Sequence, residues 1–213
     1  QDLHGLVALV ADRPNWVQAL HDLPSGSETA RTMVKPYPCG IVVHPAVDGC
    51  LSLVRDHQVN HKNLAHLRLG VSSSAAALSN NRSPRNFYEA GVSLYYWAAS
   101  ILIIGRADLA QLEESLMASA HVAELQTRIS VEEMPRLGAD QCQVSATLMD
   151  GRQIEFLIDH AKGSVNRPLT DDEVDEKFMS LATRSVPHSR AARLLAMCRD
   201  VRELASVAPI IVE

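Results

Sequence analysis

Apolar and polar positions along the chain repeat with two periods. Over residues 45–57, Val47, Cys50, Leu51 and Val54 recur at helical spacing, with Pro45 in the first turn, which predicts a helix opening directly after His44. Residues 64–71 alternate Leu64, His66, Arg68 and Gly70 against Ala65, Leu67, Leu69 and Val71, the period of a half-buried strand. Residues 87–104 are apolar around most of the circumference and predict one central helix ended by Gly105. Residues 143–149 and 152–158 alternate on either side of Asp150-Gly151, which predicts a hairpin with a two-residue turn at φ > 0.

Weaker patterns fill the rest. Residues 3–20 read as two short helical stretches broken at Pro14, 25–27 as a loop and 29–34 as a short strand. Two prolines keep 35–38 out of regular structure, and the small polar run 72–81 predicts a loop. Residues 108–116 and 122–128 suit two helical pieces. Thr170, with Glu173 three residues on, predicts a capped helix with a buried stripe of Val174, Phe178 and Leu181. Residues 189–204 form a last amphipathic helix. Three or four strands between 29 and 158, with helices among and around them, give an α+β fold.

Composition narrows the function. The 213 residues are 46% apolar and 21% charged, enough for a sizeable core. A net charge of −5 without a basic run argues against nucleic acid or an anionic membrane as partner. No apolar run approaches the ~20 residues of a membrane span. Four dispersed cysteines fit neither a zinc site nor a disulfide scaffold, so a cytoplasmic location is expected. Gln1 is no translational start and residues 2–10 lack leader features, so a chain cut from something longer, or processed, is expected.

Residues 35–48 concentrate the chemistry. Lys35 offers a point charge for a carboxylate and Tyr37 a phenol able to donate or relay a proton. His44 at a helix start should hold its proton less tightly, and Asp48 one turn on could reach back to the imidazole and oppose that effect. The same residues also suit a plain structural role: a solvated lysine, a packed tyrosine and a helix cap. His57 and His61 have the spacing of a metal pair but lack a third ligand nearby, so no metal is expected. Cys39 has no adjacent base and reads as a packed thiol. Lys162 and Arg167 could border a cleft.

The run Lys35-Pro-Tyr-Pro38 followed by His44-Pro-Ala-Val-Asp48 resembles the KPYPxxxxxHPAID signature of the MmgE/PrpD family, which includes 2-methylcitrate dehydratase, cis-aconitate decarboxylase and iminodisuccinate epimerase. Glu89 to Ala99 is similar to the family's EAKFSLPYAVA segment, Asp150-Gly151-Arg152 to its DGR hairpin, and Gly163 to Phe178 to its GxxxNPLSxxELxxKF stretch. The resemblance implies residues 1–28 as a remnant of a helical domain and linker, 29–182 as an α+β lid, and 183–213 as helices returning to the helical domain. It implies a cofactor-independent lyase acting on a small tricarboxylate or dicarboxylate, a homodimer, and only part of an active site in this chain. Lys35 and His44 fall on the signature lysine and histidine, and Tyr96 on the tyrosine of the PYAVA segment. With Tyr37 these are the expected site residues. The lysine and phenylalanine of EAKFS are Gly91 and Val92 here, and the proline of LPYA is Tyr95.

Overall fold

The computed structural model describes His21 and residues 32–212. The chain divides into two compact units, Gln1–Met33 and Val34–Glu213, and the sheet with its helices belongs to the second. The expectations for residues 3–20 and 25–27 lie outside the described residues, as do 29–31 of the expected first strand; residues 32–34 carry no regular structure.

Four strands, β1 (Leu64–Val71), β2 (Ile129–Glu133), β3 (Cys142–Leu148) and β4 (Gln153–Ile158), form one sheet in the order β2-β1-β3-β4. β1 runs parallel to β2 and antiparallel to β3, and β3 pairs antiparallel with β4. Parallel pairing requires a crossover, and residues 72–128 supply it with a string of helices. Register places Leu67, Leu69 and Val71 opposite Ala146, Val144 and Cys142, with Ile129 beside Leu67, and all of these are buried. The opposite face is polar: Arg68 lies 3.1 Å from Glu132 and 3.9 Å from Glu155. A mixed sheet with helices against its apolar face is the α+β architecture that the alternation predicts.

Helix α1 (His44–His57) packs on β3 and β4. It comes close because Gly49 has no side chain; a Cβ there would stand 2.5 Å from Val144 Cγ2. The apolar run 87–104 is not one helix but two, α3 (Phe87–Gly91) and α4 (Leu94–Ile104). Ser93 divides them: its Oγ accepts from the Tyr96 amide at 3.1 Å and donates to the Asn81 carbonyl at 2.6 Å, starting a new helix inside an apolar stretch. α4 packs against α1 and β2 and ends, as expected, at Gly105 with φ +83°. The run 72–81 is likewise a helix, α2 (Ser73–Ser79), capped by Ser72 and carried by three alanines. A 3-10 turn (Leu109–Leu112), α5 (Glu114–Met117) and α6 (Ala120–Gln126) complete the crossover.

The hairpin forms where expected, but with a three-residue loop. The Gly151 amide donates to the Leu148 carbonyl and the Leu148 amide to the Arg152 carbonyl, and of the loop residues Gly151 alone takes a positive φ, +86°. Thr170 and Glu173 form their reciprocal cap on α7 (Asp171–Ala182). The stripe of α7 is less covered than expected: Val174 and Phe178 are half-buried and Leu181 is exposed. α8 (His188–Arg199) packs on α7, with Arg199 bound to Asp171 and Asp175, and a 3-10 turn and α9 (Ala208–Val212) follow. Among the described residues no helix is long and apolar enough to cross a membrane.

Candidate functional site

The double-proline loop is fixed from several sides. The Gly40 amide donates to the Gly91 carbonyl at 2.8 Å, and Lys177 Nζ of α7 donates to the Lys35 carbonyl at 2.6 Å. Gly163, at φ +79°, lies so close beneath that a Cβ would stand 2.1 Å from the Val34 carbonyl oxygen and 2.8 Å from Pro36 Cδ. Lys35 Nζ turns back to donate to the Cys39 carbonyl at 3.1 Å.

This loop forms one wall of a cleft of about 710 Å³. Residues 106–110 and α7 form others, and Lys162 stands among them. Five basic side chains line it, Lys35, Arg106, Lys162, Lys177 and Arg184, against the acidic Asp108, Glu113, Glu173 and Glu176. Arg106 is paired with Asp108 at 2.5 Å and Lys162 with Glu173 at 2.6 Å, which holds the Glu173 carboxyl below its usual range. Lys35, Lys177 and Arg184 make no carboxylate pair among the described residues, so the cleft retains cationic groups able to take an anion.

Tyr37 lines the same wall, but its hydroxyl is committed: it donates to Asp48 Oδ1 at 2.5 Å. Burial, reinforced by the Asp48 charge, pushes its pKa well above the phenol range. Asp48 therefore does not reach back to His44 as the spacing allowed. Its other oxygen accepts from the Lys162 amide at 2.6 Å and from Arg167 Nη1 at 3.4 Å. His44 lies one side chain further in, fully buried, with its ring edge-on to Tyr37 at 5.4 Å between centroids. Neither ring nitrogen makes a hydrogen bond of proper geometry. Burial lowers its pKa to about 4; the nearby Cys39 carbonyl and the Asp48 charge favour the imidazolium, but not enough to offset it.

Tyr96 does not line the cleft. Buried in α4, it donates its hydroxyl to the carbonyl of Gln111, in the 3-10 turn whose Leu109 and Ala110 form part of the cleft wall, and burial pushes its pKa up to about 12. Of the four expected site residues the fold thus brings Lys35, Tyr37 and His44 together, and joins Tyr96 to the wall only through Gln111. Arg106, Lys177 and Arg184 were not anticipated, because no local pattern marks a lysine or arginine as facing a distant loop. Lys162 does border the cleft; Arg167 turns to Asp48 instead. Burial pushes the Cys39 thiol up to about 12, leaving it protonated at neutral pH. His57 stacks on Phe156, and among the described residues no group of three His, Cys, Asp or Glu side chains could hold a metal ion.

Over 178 residues the chain is 24% identical to cis-aconitate decarboxylase of Homo sapiens, a match that covers 80% of this chain and 37% of that protein. The chain thus spans just over a third of this relative's length. The model of the MmgE/PrpD C-terminal domain matches residues 37–203. That span holds Tyr37, His44 and Asp48, the whole sheet and the Lys162–Lys177 side of the cleft, and the chain belongs to the MmgE/PrpD family.

Proposed function

We propose that this chain supplies the C-terminal part of a cofactor-independent lyase acting on a small tricarboxylate or dicarboxylate, in the manner of 2-methylcitrate dehydratase, and that the cationic cleft is its share of the substrate site. The observation that carries this reading is the set of three cations, Lys35, Lys177 and Arg184, on one concave surface without carboxylate partners among the described residues. Removing a proton beside a carboxylate builds negative charge on its oxygens, and preorganised cations stabilise that charge as it develops. Lys35 would hold the carboxylate. His44, neutral near pH 7 and behind Tyr37, would be the proton acceptor only with the Tyr37 ring displaced. Tyr37 separates it from the cleft and, with its proton committed to Asp48, would shape the entrance. Decarboxylation or epimerisation on the same scaffold is the first alternative, since the human relative is a decarboxylase. Four free thiols accord with a cytoplasmic location.

A second reading, a non-catalytic fragment or assembly module, draws on the span of 37% of that relative. The test assays the chain, alone and joined to the N-terminal portion of a family relative, for dehydration, decarboxylation and epimerisation of tricarboxylates. Lys35→Ala and His44→Ala should each lower turnover by about a hundredfold. Wild-type rates from both variants would overturn the site assignment, and absence of turnover in every combination would favour the assembly reading.

A further inference from the structure

We infer that Asp48 is the positioning residue of the cleft, a single buried carboxylate that fixes the two backbone segments carrying Lys35 and Lys162. The inference rests on the reading of the cleft as a polycarboxylate site.

Asp48 is 4% exposed and does not line the cleft, so it touches no ligand there. Its oxygens take three donors from two distant parts of the chain. Oδ1 accepts the Tyr37 hydroxyl, eleven residues away; Oδ2 accepts the Lys162 amide and Arg167 Nη1, 114 and 119 residues away. All three partners donate, and the carboxylate accepts from each of them. An asparagine has one acceptor oxygen: with that oxygen on the Lys162 amide and Arg167, the phenol must turn to accept from the new N–H, and the charge that faces Arg167 is lost.

Tyr37 shares its short loop with Lys35, and Lys162 is tied at its own main chain while its ammonium reaches Glu173. The segments also touch directly: Gly163 lies under Val34 and Pro36, and Gly163 N–H donates to the Arg167 carbonyl at 2.8 Å, closing the turn that Arg167 anchors. Both ammonium groups therefore hang from backbone referenced to one carboxylate on α1, the helix seated on the sheet. Loosening either arm shifts the loop that carries Lys35 against the Lys162–Glu173 pair and the α7 side that carries Lys177, and a ligand that bridges the two sides loses affinity.

The experiment measures citrate binding by calorimetry and amide hydrogen exchange by mass spectrometry on wild type, Asp48→Asn and Tyr37→Phe. Asp48→Asn should weaken citrate binding about tenfold or more. It should speed exchange in segments 35–40 and 161–167 while the β3–β4 hairpin keeps its protection. Tyr37→Phe, which removes one arm and keeps the carboxylate, should speed exchange in 35–40 alone and weaken citrate about threefold. If Asp48→Asn does not yield folded protein, Tyr37→Phe decides by that confinement. Unchanged exchange in both segments, a uniform rise across the sheet, or citrate binding by Asp48→Asn equal to wild type would each overturn the positioning role. Failure of wild type to bind citrate would overturn the polycarboxylate reading instead, and the exchange pattern would still decide whether Asp48 fixes the two segments.

Discussion

His44 is an ionisable ring enclosed by protein with neither nitrogen hydrogen-bonded, so its protonation is coupled to the integrity of the fold. Burial holds its pKa at about 4 in the folded chain, against an ordinary value of 6.5. Below 6.5 the unfolded chain takes up a proton that the folded chain refuses until about 4, so the unfolded state binds more protons across that window. Stability is therefore fully present above 6.5 and falls as the pH drops, by at most ~1.4 kcal/mol per unit. Urea unfolding of wild type and His44→Gln at stepped pH measures it. The difference between the two proteins should be constant above 6.5 and change steadily down to about 4; parallel curves throughout would refute it. The sequence anticipated the direction of this shift, but from the helix dipole. Burial is the larger cause, and no local pattern records it, because how completely a ring is covered is decided by the packing of the whole fold.

The turn after β4 acts on the site through an absence. Gly163→Ala would put a methyl group 2.1 Å from a backbone oxygen, at a positive φ that L residues rarely adopt, so the 35–38 loop must shift. The expected outcome is a loss of ~1–3 kcal/mol in stability, with citrate binding weakened about tenfold. Gly91→Ala, whose Cβ would meet nothing within 4 Å, is the control that should leave stability near wild type. Equal behaviour of the two variants would mean that Gly163 does not set the loop. Elements with a local signature were legible in sequence: the alternation of β1, the paired alternation of the hairpin and the Thr170–Glu173 cap. The failures share a cause. A serine inside a favourable run caps a helix only when its hydroxyl finds the right amide, as Ser72 and Ser93 do, and residues 129–133, for which no local pattern set an expectation, form a strand by pairing with the distant β1.

At the scale of the molecule, the fold class and the order of the family segments were readable, whereas the sheet order was not. Placing β2 beside β1 depends on how the helices of residues 72–128 cover the apolar face, which is a packing outcome. The homodimer implied by the family is a proposal of the same scale. Light scattering on the purified chain should give at least twice the mass of one copy, without turnover in the same preparation; a monomer with robust turnover would contradict both the dimer and the assembly reading. The ties of Asp48 also have a temporal side. Tyr37 stands eleven residues before it, but the Lys162 amide follows 114 residues later. At ribosomal speeds of ~5–20 residues per second, the carboxylate and the phenol precede their third partner by about 6–23 s. While the chain is being made, the lysine-bearing loop can be drawn toward α1 early, but its counterpart at Lys162 arrives only after β1, β2, β3 and β4 have all been synthesised. The cleft is thus among the last features a nascent molecule can acquire, and a chain interrupted within the hairpin would carry Lys35 without the partner segment it is measured against.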